Sequence, residues 1–282
     1  MKFEDYMLLK SLIMILLGVI IGIPLILYPL LYFFQDSLIF HRQNIDNARL
    51  TWIREKFPNS ERFIPTPDNT RLHGWFVKRK VAKKTPLLIY FGGNAEEVSN
   101  FLIDIDRFRG LSVLVVNYRG YGLSEGTPSE SGLFSDALFL YDTFSGREDI
   151  DDENIFVMGR SLGTGVGVYL ASKRRLKGII LVSPYDSLRS VAQDIYFFAP
   201  VSIILKHHFD SLSLASSITT PLLALIGSDD TIIPPSHSRK LVEGWGGRST
   251  LKIVRGADHN SISIGEEFWE HVNQFLLELR KE

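Results

Sequence analysis

The sequence predicts an α/β domain built on a mostly parallel β-sheet with helices on both faces, preceded by one transmembrane helix. Short apolar segments alternate with amphipathic segments over most of the chain, which is typical of parallel strands joined by helices. The 282 residues suffice for one sizeable α/β domain and an appendage. The segment from Ser11 to Phe34 carries no charge and exceeds the roughly 20 residues that cross a bilayer.

Residues 11–34 are predicted to be an uncleaved membrane anchor, with residues 1–10 as a tail and residues 35–60 as a partly helical connector. A cleaved signal peptide is the alternative, but the apolar run exceeds the roughly 7–15 residues of such peptides and no small-residue cleavage site follows it. The flanking charges favour an extracytoplasmic location for the large domain, in a single-pass membrane protein. These charges are Lys2 and Lys10 before the anchor, and His41 and Arg42 after it.

Residues 61–282 are predicted to form the α/β domain. The segments "ERFIPT" and "RLHGWFVKR" flank the turn signal "PDN" and predict an antiparallel hairpin. Six more strands bring the sheet to eight. In chain order the predicted strands and helices are "PLLIYF", 95–108, "LSVLVVN", 130–145, "NIFVMG", 162–174, "GIILVS", "PLLALIG", 235–244, "TLKIV" and 261–280.

An insertion at about residues 186–215 interrupts this alternation. Its apolar run from Ile195 to Leu205 is too short to span a membrane. We expect a cap of short helices, either simply buried or forming an apolar lid over an acyl-binding site and reaching the membrane interface.

Composition excludes several classes of function. The net charge of −1 gives no electrostatic footprint for nucleic acid, so no nucleic-acid partner is expected. The absence of cysteine excludes disulfides, thiolate zinc sites and a cysteine nucleophile. The glycine-rich segment after Ser161 lacks both the dinucleotide fingerprint, because Val168 stands where glycine is needed, and the P-loop G-K-[ST]. No metal and no organic cofactor are predicted.

The segment "GRSLG" fits a serine nucleophile on a sharp strand-to-helix turn. Gly159 and Gly163 lie two residues either side of Ser161, where a side chain would collide with the neighbouring strand or helix. A serine hydroxyl needs a base, and the base needs an acid. His259 follows a predicted strand, and the acid is Asp229 or Asp230 after the preceding strand. The other six histidines have surface or packing roles as their simplest interpretation.

An acyl-transfer site also needs N–H donors for the oxyanion. The N–H of Leu162, directly after the serine, is one candidate. The loop "YFGGNAEE" provides the other, with Asn94 as the predicted donor and Gly93 allowing the backbone to approach substrate. An ordinary Gly-Gly turn before a helix is the alternative for this loop. Tyr185 and Phe197 are predicted to contact substrate.

The motifs together resemble the membrane-anchored α/β-hydrolase-domain (ABHD-like) serine hydrolases, which have an N-terminal signal anchor and one catalytic domain. The segments that carry the resemblance are "FQDSLIF", "DNTRLHGWF", "YFGGNAE", "NYRGYGLSEGTPSE", "GRSLG", "SPYDSL", "GSDDTIIPPSHS" and "GADHN". The resemblance implies an α/β-hydrolase fold. It also favours Asp230 as the acid, because the family pattern G-x-x-D-x-x-[IV]-P is matched by Gly227, Asp230, Ile233 and Pro234.

The resemblance implies a membrane-tethered serine hydrolase that cleaves an ester, thioester or amide through Ser161, Asp230 and His259. A small-molecule acyl or lipid substrate is favoured. One departure concerns the oxyanion loop, where related proteins usually have His-Gly-Asn and this chain has Gly92 in the histidine position. Two alternatives therefore stay open: a weakly active or inactive scaffold that binds a lipid or a partner protein, and a serine peptidase of the same fold.

Overall fold

The computed structural model describes residues 3–79 and 83–281. Lys2, one of the charges used to predict membrane orientation, lies outside these residues, as do the first two positions of the predicted tail. The same holds for positions 80–82 and 282 of the predicted α/β domain.

The chain begins with one long helix, α1, from Phe3 to Ile39. From Phe3 it runs without a break through the predicted anchor and into the predicted connector, with Pro24 and Pro29 inside it. One stretch, Lys10–Ile39, is long and apolar enough to cross a membrane. A second helix, α2 (Asn47–Lys56), is capped by the preceding residue Asp46, whose carboxylate accepts the N–H of Arg49.

The centre of the domain is an eight-stranded sheet in the order β1-β2-β4-β3-β5-β6-β7-β8. The strands β1 and β2 form the predicted antiparallel hairpin, β2 pairs antiparallel with β4, and all other pairs are parallel. The predicted α/β class and strand count are therefore confirmed. The strands are β1 (Glu61–Pro65), β2 (Arg71–Val77), β3 (Thr85–Phe91), β4 (Ser112–Val116), β5 (Ile150–Arg160), β6 (Gly178–Val182), β7 (Leu222–Gly227) and β8 (Ser249–Val254).

Helices cover both faces of the sheet. They are a 3₁₀ helix (Val98–Arg107) and α3 (Glu130–Ser145), α4 (Leu162–Lys173), α8 (Pro235–Glu243) and α9 (Glu266–Lys281). One buried apolar cluster lies under α3, α4 and α8 and the other under α9 and the 3₁₀ helix, as a parallel sheet requires. The last helix begins at Glu266 rather than at 261, because the Asp258 carboxylate accepts the N–H groups of Asn260 and Ser261 and holds a turn there.

The insertion contains three short helices: α5 (Leu188–Ile195), α6 (Val201–Ile204) and α7 (Ser211–Ala215). We call the segment from Leu188 to Ala215 the cap. Two contacts fix the middle of the cap. The Gln35 side chain of α1 donates to the carbonyl of Ile204 at the end of α6. The Glu130 carboxylate of the domain accepts the N–H groups of His208 and Phe209, just before α7.

Candidate active site

Ser161 lies on a tight turn between β5 and α4. Its φ of 49° is in the left-handed region, which costs a residue other than glycine on the order of 1–3 kcal/mol. The two predicted glycines are needed here: a Cβ on Gly159 would lie 2.4 Å from the carbonyl oxygen of Gly163, and one on Gly163 would lie 2.1 Å from that of Phe91. The turn therefore lifts the Ser161 hydroxyl above the ends of the strands.

The three predicted triad residues lie together. The Nε2 atom of His259 is 2.9 Å from the Oγ atom of Ser161. The other ring nitrogen of His259, Nδ1, is 2.8 Å from Oδ2 of Asp230. Because the carboxylate can only accept, Nδ1–H donates to it and Nε2 is left to accept the serine proton. The arrangement can deprotonate a serine hydroxyl.

Asp230, and not Asp229, meets the histidine. Its other carboxylate oxygen accepts the N–H groups of Ile232 and Ile233. Burial by itself would raise the Asp230 pKa, but the hydrogen bonds with His259 and with the Ile233 N–H outweigh burial and lower it. The exposed Asp229 carboxylate accepts instead from the hydroxyl of Ser228.

The two predicted oxyanion donors, Asn94 and Leu162, line the same cavity as Ser161. Leu162 is the first residue of α4, where an N–H has no partner within the helix. The Asn94 side-chain oxygen accepts from the N–H of His41 and from the Tyr121 hydroxyl. These bonds hold the loop at the position where α1 leads into the domain.

Glu96 belongs to the predicted oxyanion loop "YFGGNAEE", and no role was predicted for it from the sequence. Its carboxylate accepts the N–H of Gly93 at 2.7 Å and the Tyr90 hydroxyl at 2.7 Å. A Cβ on Gly92 would lie 3.4 Å from the Glu96 carboxyl carbon, so Glu96 lies beside the glycine that departs from the pattern of the resembled family. Burial, together with the negative charge of Glu96, raises the Tyr90 pKa, which keeps that hydroxyl a donor.

Arg160 connects this loop to the histidine loop. One guanidinium nitrogen lies 3.4 Å from the Glu96 carboxylate, and the other donates to the backbone carbonyl of His259 at 3.1 Å. Residue 160 is one of the two variable positions of the G-x-S-x-G motif, so the pattern gave no signal for its role.

Known proteins share this architecture. Residues 86–200 match the family described as alpha/beta hydrolase fold. The chain is 31% identical over 274 residues to the Saccharomyces cerevisiae protein named uncharacterized membrane protein YNL320W, covering 93% of this chain and 95% of the relative. It is 29% identical over 287 residues to the Arabidopsis thaliana alpha/beta hydrolase domain-containing protein WAV2, covering 90% of this chain and 91% of the relative. This chain belongs to the α/β-hydrolase family.

A solved structure shares the hydrolase fold at lower sequence identity. The Pyrococcus furiosus esterase PF2001 superposes with a TM-score of 0.66 at 18% identity, covering 84% of this chain and 96% of that chain. This superposition confirms the predicted fold class, and the sequence relatives above confirm the family resemblance.

The site formed by Ser161, His259 and Asp230 opens into a cavity of about 530 Å³. Three parts of the molecule form its wall: the strand ends that carry the triad, the cap, and the C-terminal part of α1. Its lining is mostly apolar. The lining residues from α1 are Leu31, Gln35, Leu38 and Ile39, and those from the cap include Val191, Ile195, Tyr196, Val201 and Ile204.

The three residues predicted to contact substrate differ in position. Tyr185 lines the cavity, and its hydroxyl donates to the carbonyl of Leu162. A Cβ on Gly93 would lie 3.7 Å from Cβ of Ser161, so this glycine is beside the serine. Phe197 is 80% exposed and does not line the cavity, which the neighbouring Tyr196 does. The position of Phe197 is a correction, and its physical reason is that α5 ends at Ile195, so the next side chains no longer follow helical spacing.

The hydrolase domain contains a second buried histidine–aspartate pair, which sequence reasoning missed. The Nδ1 atom of His237 lies 2.8 Å from Oδ1 of Asp186, and its Nε2 atom lies 3.1 Å from Oδ2 of Asp194 on α5. Among the described residues, no serine hydroxyl is hydrogen-bonded to this imidazole. Within residues 3–79 and 83–281 no group of histidine and carboxylate side chains is arranged to hold a metal ion.

Proposed function

We propose that this chain is a membrane-tethered serine hydrolase that cleaves an ester, thioester or amide. The observation that carries the proposal is the continuous series of hydrogen bonds from Ser161 through His259 to Asp230, on the strained turn that exposes the serine. Membership of the α/β-hydrolase family supports hydrolase activity, and the fold is shared with a protein named an esterase.

In the first half of the reaction, the Ser161 Oγ atom attacks the carbonyl carbon and forms a tetrahedral intermediate. His259 Nε2 takes the hydroxyl proton, and Asp230 stabilises the resulting imidazolium. The same proton passes to the leaving alcohol, thiol or amine as the carbonyl re-forms, which leaves an acyl-enzyme. In the second half, water gives a proton to His259 and attacks the ester, and the acid departs as Ser161 recovers its proton.

The N–H groups of Leu162 and Asn94 are the proposed donors to the oxyanion. The Glu96 carboxylate occupies the Gly93 N–H, so the loop contributes its next amide. Glu96 and Arg160 are the proposed positioning residues of this loop, in place of the histidine that relatives have there. Loss of one oxyanion donor lowers kcat by about 10²–10³-fold. The chain is therefore an active hydrolase, rather than only a binding scaffold, if Glu96 and Arg160 hold the loop so that the Asn94 N–H points at the oxyanion.

The proposed tether is α1, and the proposed location is a membrane, with the domain on the extracytoplasmic side. The apolar stretch Lys10–Ile39 supports a bilayer span, and the yeast relative is named a membrane protein. The mostly apolar lining of the cavity favours a small molecule with an acyl or lipid-like group as substrate.

Labelling by a fluorophosphonate probe tests the proposal, because the probe reacts covalently with an activated serine. Wild type should label and Ser161→Ala should not. Ser172→Ala is the matched control, since that serine lies on α4 and donates only to the Tyr169 carbonyl; it should label like wild type. Absence of labelling in wild type, or equal labelling of Ser161→Ala, would refute the proposal.

The membrane side is tested separately. The chain contains no cysteine, so Leu277→Cys, at an exposed position on α9, introduces one thiol in the domain. A membrane-impermeant thiol reagent should modify it on intact cells. Modification only after the cells are opened would contradict an extracytoplasmic domain.

A further inference from the structure

The tip of the cap is one of the exposed apolar features of the hydrolase domain. Phe198 and Ile203 are 52% and 81% exposed, and Phe197 beside them is also exposed. We call residues 196–198 the cap tip. Aromatic rings at a surface loop next to an apolar helix are a common device for binding the membrane interface.

Contacts with α1 fix the depth of the cap tip. The Tyr28 hydroxyl donates to the backbone carbonyl of Phe198 at 3.1 Å. About two helical turns further along α1, Gln35 donates to the carbonyl of Ile204 and accepts the N–H of Lys206. The cap is therefore attached along the last turns of α1, with its tip nearest the middle of the helix.

The length of α1 places those contacts relative to a bilayer. The apolar stretch Lys10–Ile39 has 30 residues and at 1.5 Å per residue is about 45 Å long. A hydrocarbon core about 30 Å thick takes about 20 of these residues. Counted from Lys10, the core ends near Leu30, so Tyr28 lies just inside it and the bonded cap tip lies at the same level.

The cavity begins at that level. Leu31, Gln35 and Leu38 lie on one face of α1 and line the cavity that contains Ser161. The membrane helix is thus one wall of the substrate cavity, starting about one residue beyond the hydrocarbon core. This face of α1 therefore continues from the proposed bilayer span into the cavity that contains Ser161.

We propose that the cap tip is inserted in the bilayer, and that the cavity receives, laterally from that leaflet, an amphiphile carrying a long acyl chain. This inference rests on the proposed hydrolase function and names the substrate class and its route. The acyl chain would lie along α1 and the cap, with its carbonyl at Ser161 and the leaving group toward water. The bond cleaved is the acyl ester or thioester, by the steps given above.

The kinetic test uses the full-length chain reconstituted in phosphatidylcholine vesicles. Two umbelliferyl esters are compared, a water-soluble butyrate and an oleate held in the vesicles. Phe198→Asp places a charge on the cap tip, and Leu277→Asp is the matched control because Leu277 is 53% exposed on the distant helix α9. Burial of one phenylalanine side chain in the bilayer should favour the inserted state of the cap tip by about tenfold or more. Phe198→Asp loses this contribution, so it should lower kcat/KM for the oleate about tenfold. Butyrate hydrolysis by Phe198→Asp, and both activities of Leu277→Asp, should match wild type.

A spectroscopic test reports insertion without relying on catalysis. In the cysteine-free chain, Phe198→Cys and Leu277→Cys each take one environment-sensitive fluorophore. Lipids brominated on the acyl chain should quench the label at position 198 and leave the label at position 277 unchanged.

The outcomes separate the two proposals. Butyrate hydrolysis without oleate hydrolysis in vesicles, or equal quenching at the two labels, overturns the membrane route and leaves the hydrolase intact. Loss of both activities in Phe198→Asp also overturns it, because the side chain then acts on the site itself. A wild-type protein that hydrolyses neither ester and takes no fluorophosphonate overturns both proposals.

Discussion

Two buried histidine–aspartate pairs lie at the same edge of this sheet. In both, Nδ1 of the histidine contacts a buried aspartate, and the pairs differ in the partner of Nε2. In the first pair, Asp230 holds Nδ1 of His259 and Nε2 meets the Ser161 hydroxyl. In the second pair, Asp186 holds Nδ1 of His237 at the same 2.8 Å distance. Its Nε2 meets the Asp194 carboxylate of the cap at 3.1 Å. An imidazole between two carboxylates connects parts of the fold, whereas one between a carboxylate and a hydroxyl can accept a proton from a nucleophile.

The comparison shows that a buried histidine–carboxylate pair alone does not identify a catalytic base. His237 is at least as buried as His259, and both follow the carboxyl ends of strands. The distinction is the strained serine beside His259. We therefore expect activity to depend on the first pair and folding stability on the second.

The largest expected effect contrasts His259→Ala with His237→Ala. His259→Ala removes the base and should lower kcat for the butyrate ester by about 10⁴-fold or more. His237→Ala should keep kcat within about one order of magnitude of wild type, because it meets no reacting atom. Ester hydrolysis by the purified full-length variants measures both. Equal losses in the two variants would show that the second pair also serves catalysis.

The acids give the next contrast. Asp230→Asn cannot accept from Nδ1–H as a carboxylate does and no longer stabilises the imidazolium, so kcat should fall by about 10⁴-fold. Asp229→Asn changes an exposed carboxylate one residue away, which bonds only locally to Ser228, and should keep wild-type kcat. A larger loss in Asp229→Asn than in Asp230→Asn would assign the acid to the other residue.

The first pair could be predicted because its geometry follows from topology. The carboxyl ends of parallel strands meet at one edge of a sheet, so residues after β5, β7 and β8 converge there whatever the rest of the chain does. The glycines at 159 and 163 marked the turn, since only glycine avoids collision with the neighbouring backbone. The strand positions, and the meeting of Ser161, His259 and Asp230, were thus readable from local patterns.

The rest depended on contacts that no local pattern encodes. Asp186 and His237 are 51 residues apart, and neither belongs to a motif. Glu96 matters because its carboxylate reaches the Gly93 N–H and the Tyr90 hydroxyl, which requires the loop conformation. Phe197 was expected in the cavity, but a segment without regular spacing gives no indication of which ring points inward.

The contribution of the second pair, His237 and Asp186, to folding stability can be measured directly. His237→Ala leaves the buried Asp186 carboxylate with its Ser187 N–H bond and with Lys240 at 3.7 Å. Losing one partner of a buried pair should therefore lower the free energy of unfolding by about 2–3 kcal/mol. Thermal melts of the full-length chain in detergent report the loss. Adding Asp186→Asn should cost less than the sum of the single variants, because both act on one pair; strict additivity would contradict a direct pair.

The dependence of folding stability on acid pH tests the first pair through Asp230. The pKa of Asp230 is lowered in the folded state by its hydrogen bonds with His259 and the Ile233 N–H, which outweigh the opposing effect of burial. Its ionised form therefore stabilises the fold above the ordinary pKa of an unfolded aspartate, about 3.9, and this stabilisation is lost as the pH falls through the lower folded-state pKa. Asp230→Asn should show a shallower loss of stability below about pH 4. A melt series against pH that gives equal slopes for variant and wild type would contradict the lowered pKa.

The smallest expected effect concerns the cap end of the second pair. The Asp194 side chain is 67% exposed, so its attraction to the imidazole is screened by water and should contribute less than about 0.5 kcal/mol. Asp194→Asn should therefore melt within about 2 °C of wild type, in contrast to the several degrees expected for His237→Ala. The two carboxylates differ in their access to water. Asp186 is buried, so water cannot replace the His237 ring as its hydrogen-bond partner, whereas water can replace it at the exposed Asp194. If Asp194→Asn instead has a melting temperature as low as that of His237→Ala, the contact between His237 and the cap, and not the buried pair, stabilises this edge of the domain.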